Sequence, residues 1–272
     1  SFENSGIEVS LSSENIRAAS KNGLSWKTSF NISTNKNKML TLSGSNQIIS
    51  GVFNREIGGD YYEYYMPGWA GVDVQTGEGL WWVDGTKKAT TTKFTEAKAF
   101  NQGSATPRFF GGLTNTFEYR NFSLSFMFYF NYGNKLYDSW GAFTSNDASS
   151  GVTDYGVIAR VDYDNRWQKP GDKASSPKMV YRGTQTGLSG QNSSRFMYDG
   201  SYIRLRDVSL TYDVPVKNTV FQKLQVYLRG NNLLTMVKDD RLRHDPETYI
   251  GGILNQNLPI ARQFLAGLNI TF

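Results

Sequence analysis

The chain has 272 residues, no cysteine and a net charge of +5 from 29 basic and 24 acidic residues spread along its length. That excludes a disulfide framework and any cysteine metal site, and the scattered charge argues against a nucleic-acid binder, with NKNK (Lys36, Lys38) reading as a polar turn. Mean hydropathy is −0.47, and no run approaches the roughly 18 consecutive apolar residues of a membrane-spanning helix, which leaves a strand-built barrel open.

The chain starts at SFENSGIEVS, with no signal peptide visible and almost directly on a strand, as expected of a piece of something longer or of a processed product. Aromatics reach 14% and glycine is plentiful while proline is sparse, a balance that favours strands and turns. Seven segments alternate with period two. The first, 6–17, puts Ile7, Val9 and Leu11 on one face; the second, 24–34, puts Trp26, Phe30 and Ile32 there. The third (108–119) carries Phe109, Leu113, Phe117 and Tyr119, and the fourth (121–132) carries Phe122, Leu124, Phe126, Phe128 and Phe130. The fifth (202–214) has Val208, Leu210, Tyr212 and Val214; the sixth (224–234) has Val226 and Leu228; the last (263–272) has Phe264, Ala266, Leu268, Ile270 and Phe272. The other faces are mostly polar, and Thr114, Thr116 and Glu118 are expected to look into a lumen.

Connections alternate in length. KNG (21–23), Arg120 and about ten residues around PVKNTVFQK are short, whereas 35–107, 133–201 and 235–260 are long. With antiparallel neighbours, every short turn falls at one end of the sheet and every long loop at the other, as in outer-membrane barrels. The segments also suit a tilted membrane strand of about 9–11 residues. The expected fold is therefore all-β: a transmembrane antiparallel β-barrel, here only in part, with about seven strands and long extracellular loops. Seven strands cannot close a bacterial single-chain barrel, so the remaining strands are expected before Ser1.

Several stretches, in order, resemble the C-terminal part of a SusC/RagA-type TonB-dependent outer-membrane transporter of the Bacteroidota: SWKTSFNISTNKNKML (25–40), GWAGVDVQTGEGLWWVDG (68–85), TPRFFGGLTNTFEYRNFSLSFMFYFNYGNKLYD (106–138), NRWQKPGDKASSPKMVYR (165–182), DGSYIRLRDVSLTYDVP (199–215), VYLRGNNLLTM (226–236) and ARQFLAGLNITF (261–272). The resemblance implies a barrel of about 22 strands, a plug domain and earlier strands that are not in this chain, energy from TonB, a SusD-like lipoprotein lid, and Phe272 as the signal read by the barrel assembly machinery. It implies an integral place in the bacterial outer membrane, lipid contact and nutrient uptake (an oligosaccharide or oligopeptide) with no cofactor; separately, a lone His in an acidic loop and the lack of GxGxxG and Walker A patterns argue against a metal site and enzyme chemistry.

Candidate site residues lie in the first long loop. Tyr61, Tyr62, Tyr64, Tyr65, Trp69, Trp81 and Trp82 offer rings that stack on sugars or extended peptides. They either meet substrate or lid, or pack the loop on itself; the resemblance makes 68–85 look like shared scaffold. His244, in DDRLRHDPE (239–247), lacks zinc spacing and reads as a solvated loop residue. DYDN (162–165) lacks the later positions of a calcium loop. In the fifth segment the apolar phase slips, so a bulge is expected near Arg206 or Asp207, with Arg204 and Arg206 rising above the bilayer. The competing reading is a secreted or surface glycan-binding β-sandwich, whose apolar faces would be covered by a second sheet.

Overall fold

A computed structural model describes residues 1–20, 22–145, 147, 158–180, 190–216, 220–247, 250–255 and 258–272. Strands β1 (Phe2–Ile16) and β2 (Leu24–Met39) form the first hairpin. The connection from 40 to 108 folds into β3 (Gln47–Ser50), β4 (Phe53–Glu56), β5 (Glu63–Pro67), β6 (Trp69–Val72), β7 (Gly79–Trp82), β8 (Thr90–Thr91) and β9 (Ala99–Ser104). Next come β10 (Phe109–Tyr119) and β11 (Phe122–Tyr132), then β12 (Lys135–Asp138), the short helices α1 (Gly141–Thr144) and α2 (Arg160–Asp164), and β13 (Met197–Asp199). The chain finishes with β14 (Tyr202–Val214), β15 (Lys223–Val237), β16 (Ile253–Leu254) and β17 (Gln263–Thr271).

The main sheet has seven strands in the order β1-β2-β10-β11-β14-β15-β17, all antiparallel neighbours. These are the seven segments the alternation predicts, in simple meander order. The sheet does not close on itself among the described residues: β1 and β17 are its edges.

Register carries the apolar side chains into rows. Ile16, Trp26, Phe117, Leu124, Leu210, Leu228 and Ala266 lie opposite one another in turn across all seven strands. Two levels nearer the long connections runs Leu11, Phe30, Leu113, Phe128, Leu205 and Leu234. Because side chains alternate, the row Ser12, Ser29, Thr114, Met127, Asp207, Asn231 and Gln263 occupies the opposite face. Thr116 Oγ1 lies 3.2 Å from Ser125 Oγ, and Ser25 donates to Glu118 at 3.0 Å on that polar face.

Nothing among the described residues covers the apolar face. Ile7 is 69% exposed, Leu11 61%, Leu268 61% and Phe264 78%. A soluble sandwich would bury this face against a second layer. Aromatic rings fringe it at both ends: Tyr119, Phe122 and Tyr212 sit opposite one another near the short turns, and Phe109 stacks on Tyr132 at 4.9 Å near the long connections. From the level of Phe122 to that of Tyr132, at about 3.3 Å per residue and a tilt near 40°, the band is about 25 Å tall, the height of a hydrocarbon core. Two amides within it are tied together through Thr28: Asn115 accepts hydrogen bonds from Trp26 Nε1 (2.9 Å) and Thr28 Oγ1 (2.7 Å), and Asn15 Nδ2 donates to Thr28 Oγ1 (2.6 Å).

Three expectations need correction. The NKNK run is not a turn: β2 continues through it to Met39, paired with β1. The long connections are not plain loops but hold three small sheets, β3-β4-β5-β9, β6-β7-β8 and β13-β12-β16, the last with a parallel β12/β16 pair. The bulge at Arg206 is present, since Leu205 pairs with Phe128 and Asp207 with Met127, but Arg204 is kept from lipid by orientation rather than height. It faces the polar side, level with Tyr129, while Ile203 and Leu205 on either side continue the apolar band.

Leu11→Arg is expected to destabilise the intact protein in lipid vesicles by about 2–4 kcal/mol, because the guanidinium would sit in hydrocarbon. Ser12→Arg on the same strand is expected to be close to neutral. Urea unfolding in vesicles reads both, and equal effects would contradict a lipid-facing band.

Candidate functional site

Where the long connections fold over the polar face, they enclose a cavity of about 1050 Å³. Its wall is built from inward positions of the main strands: Asn4, Gly6 and Glu8 of β1, Ser33, Asn35 and Asn37 of β2, and Phe110, Tyr129, Asn131 and Tyr202 further along the sheet. Its rim comes from Tyr61, Tyr62 and Thr106 of the first connection and Glu247, Ile250 and Gly252 of the third. Strand alternation supplies the polar wall, and the connections supply the rings.

Amides organise the wall. Asn37 Nδ2 donates to Asn4 Oδ1 at 2.7 Å, and Asn37 Oδ1 accepts from the Tyr61 backbone N–H at 2.9 Å, tying the first connection to the main sheet. Asn131 Nδ2 donates to Asn134 Oδ1 at 2.8 Å. Tyr61 and Tyr62 meet edge to face at 4.9 Å, with the Arg55 guanidinium 4.3 Å from the Tyr61 ring centre. Asp60 accepts from the Tyr62 N–H (2.8 Å) and Thr106 Oγ1 (3.0 Å), fixing the rim. Amides that both donate and accept, beside half-buried rings, can hold hydroxyl-rich or amide-rich ligands.

An ion-pair network closes one side. Arg204, only 1% exposed, donates to Asp245 Oδ1 at 2.5 Å and lies 3.4 Å from Glu247 Oε2. Arg206 donates to the other Glu247 oxygen at 2.9 Å, and its guanidinium lies 5.2 Å from the Tyr129 ring centre. Asp245 also accepts from the Glu247 and Ile260 N–H groups. The arginines are therefore spent holding the third connection down, and Glu8 and Glu247 are the charged groups that line the cavity. Sequence reading missed this network; the signal was a doubled arginine in one strand and an acid-rich DDRLRHDPE elsewhere.

The seven aromatic candidates divide by burial. Tyr61 and Tyr62 line the cavity. Tyr64 has no accessible surface; it stacks on Phe53 at 5.0 Å, donates from its hydroxyl to the Gly251 carbonyl, and sits in a core with Met66, Tyr137 and Phe196. Trp81 is equally buried, edge-on to Trp69 at 5.2 Å and to Phe94 at 5.5 Å. Trp69 is half-buried beneath Arg195, which lies 5.1 Å from its ring and forms a two-pronged pair with Asp147. Tyr65 and Trp82 are half-buried on β5 and β7, away from the cavity lining. Glycines in the same motif are fitted to these rings: a Cβ on Gly79 would come within 2.8 Å of the Trp69 ring, and one on Gly68 within 2.5 Å of Phe100. Phe272 is 73% exposed at the short-turn end, its ring 5.4 Å from that of Phe221.

His244 is not a freely solvated loop residue. Its Nε2 lies 3.2 Å from Asp138 Oδ2, and Asp138 Oδ1 accepts from the Trp140 and Gly141 N–H groups at the start of α1. The hydrogen bond to Asp138 holds the imidazole above its ordinary pKa, outweighing partial burial. Asp162 of DYDN, inside α2, accepts from Ser145 (2.5 Å) and Ser176 (2.8 Å).

No protein-family model matches the chain. It is 28% identical to "TonB-dependent receptor P3" of Formosa agariphila over 311 aligned residues and 28% identical to "TonB-dependent receptor P26" of the same organism over 304. Both alignments take in the whole chain and 29% of the relative, so the chain spans less than a third of the length of these curated relatives. Among solved structures, the fold matches the "RagAB peptide transporter" with a TM-score of 0.81 and the RagAB peptide importer in the "closed-closed" state with 0.80, each at 24% identity over the whole chain and 29% or 30% of that structure's chain. The resemblance carried by the sequence motifs thus extends to curated TonB-dependent receptors along the whole chain.

Arg204→Ala would leave the carboxylates of Asp245 and Glu247 partly buried without their partner, and is expected to destabilise the third connection by about 3 kcal/mol, seen as faster amide exchange across 238–247. A raised histidine pKa means the His244–Asp138 contact stabilises fully below the ordinary value of 6.5 and loses that contribution as pH climbs through the raised one. Amide exchange at 241–245 is therefore expected to speed up over that window, and His244→Gln to flatten the change.

Proposed function

We propose that the chain is an arc of a larger outer-membrane barrel that takes up a nutrient, an oligosaccharide or oligopeptide, with energy supplied through TonB. One observation carries this reading: seven strands in meander order turn every apolar row to an uncovered face about one hydrocarbon core tall. Likeness to TonB-dependent receptors along the whole chain supports the energy source. The open edges at β1 and β17 support further strands closing the barrel, because unpaired backbone groups are not tolerated in lipid. The chain would form the C-terminal part of a single barrel domain, with the plug contributed by other sequence.

In this arrangement the cavity forms part of the outer vestibule. Tyr61 and Tyr62 present rings to the ligand, the amide wall offers donors and acceptors, and the Arg204 network fixes the third connection as part of the rim. Tyr64, Trp69 and Trp81 hold the cap in shape. Likeness to the RagAB importer supports a SusD-like lipoprotein as the lid over these connections, and Phe272 would be read by the barrel assembly machinery. The barrel conducts and does not catalyse.

The intact protein is expected to fractionate with outer membranes and to need detergent for extraction. Cells lacking it are expected to lose uptake of a labelled oligosaccharide or oligopeptide pool, and Tyr61→Ala with Tyr62→Ala to cut uptake several-fold at unchanged protein level. Recovery of the intact protein in the soluble fraction would favour the glycan-binding sandwich instead.

A further inference from the structure

At the short-turn end of the sheet, three of the described cations have partners. Arg17 donates to Glu14 at 2.5 Å, Lys223 lies 3.6 Å from Asp213, and the Arg120 guanidinium lies 5.2 Å from the Tyr119 ring centre. The opposite end is different. Since β2 runs through NKNK, Asn35 and Asn37 turn into the cavity, and alternation places Lys36 and Lys38 on the outward face with Phe30 and Ile32. Both lysines are exposed, and neither makes an ion pair among the described residues. Glu3 is opposite Lys38 in register, yet the two do not pair.

Their height is set by register. Ser33 lies opposite Phe110, so Lys36 stands level with Pro107, just beyond the stacked rings of Phe109 and Tyr132 that end the apolar band. Further along, Lys238 reaches the Tyr132 hydroxyl (3.4 Å) and Asp199 (3.0 Å) at the same level. Exposed ammonium groups on the outward side of an aromatic girdle meet the headgroup layer of a bilayer.

We propose that Lys36 and Lys38 form a docking collar for anionic lipid headgroups in the leaflet at the long-loop end. The proposal rests on the membrane reading above and adds the lipid chemistry that the outward face selects. Charge complementarity singles out an anionic headgroup: each lysine near such a surface contributes about 1 kcal/mol, so the pair corresponds to a preference of roughly 30-fold.

The test uses the intact protein reconstituted in nanodiscs of dioleoyl-phosphatidylglycerol or dioleoyl-phosphatidylcholine, with bound lipid counted by native mass spectrometry under competition. Wild-type protein is expected to retain phosphatidylglycerol over phosphatidylcholine by roughly 30-fold. The Lys36→Gln/Lys38→Gln double variant is expected to lose most of that preference, Lys88→Gln on the cap to keep it, and millimolar inorganic phosphate to leave it intact. A preference unchanged in the double variant overturns the collar, as does its abolition by inorganic phosphate, which would mark a free-anion site. Insertion into both bilayers without headgroup preference sinks the collar alone, whereas failure to insert into either sinks the membrane reading as well.

Discussion

A strand in hydrocarbon has no water to satisfy its N–H and C=O groups, so every one must be bonded to a neighbouring strand. On the membrane reading proposed above that demand governs the main sheet, whose pairing fixes which side chains share a face. Once Trp26 lies opposite Phe117 and Phe117 opposite Leu124, the row runs to Ala266 with no further choice. A slip of one residue in any strand would turn its whole apolar set to the polar side. The bulge at Arg206 follows from the same demand: it restores the phase, so that Ile203 and Leu205 before it and Val208 and Leu210 after it all face outward.

The same alternation that builds the band builds the cavity wall. Asn4, Asn37 and Asn131 are where they are because their neighbours in sequence belong on the other face. The connections then add a second kind of order. Two of them meet through the parallel β12/β16 pair, and the first is sealed by a core around Tyr64, Met66 and Tyr137. Arg204 links the two regimes, a strand residue whose buried charge is answered from the third connection. Buried pairs of this kind add little net stability but strongly penalise the loss of one partner, which suits a rim that must keep one shape.

Much of the main sheet was legible in the residues. Seven alternating segments, their bounds within a few residues, the phase slip near Arg206 and the contrast of short and long connections are all local signals. The cap was not legible, because strands as short as β6, β7 and β8 carry too few alternations to stand out and form only when packed. NKNK looked like a turn because its composition is polar, yet pairing with β1 holds it extended. His244 looked solvated because its partner Asp138 lies 106 positions away.

What the sequence determined by itself is therefore the set of strands, their two-sidedness and the end at which the long connections lie, since period two and spacing are properties of neighbouring residues. Only the tertiary structure decided that the first connection's rings split into buried Tyr64 and Trp81 and cavity-lining Tyr61 and Tyr62, and that Arg204 points to the polar side. Those outcomes depend on contacts between residues far apart in the chain, where burial and charge pairing are settled by which elements meet.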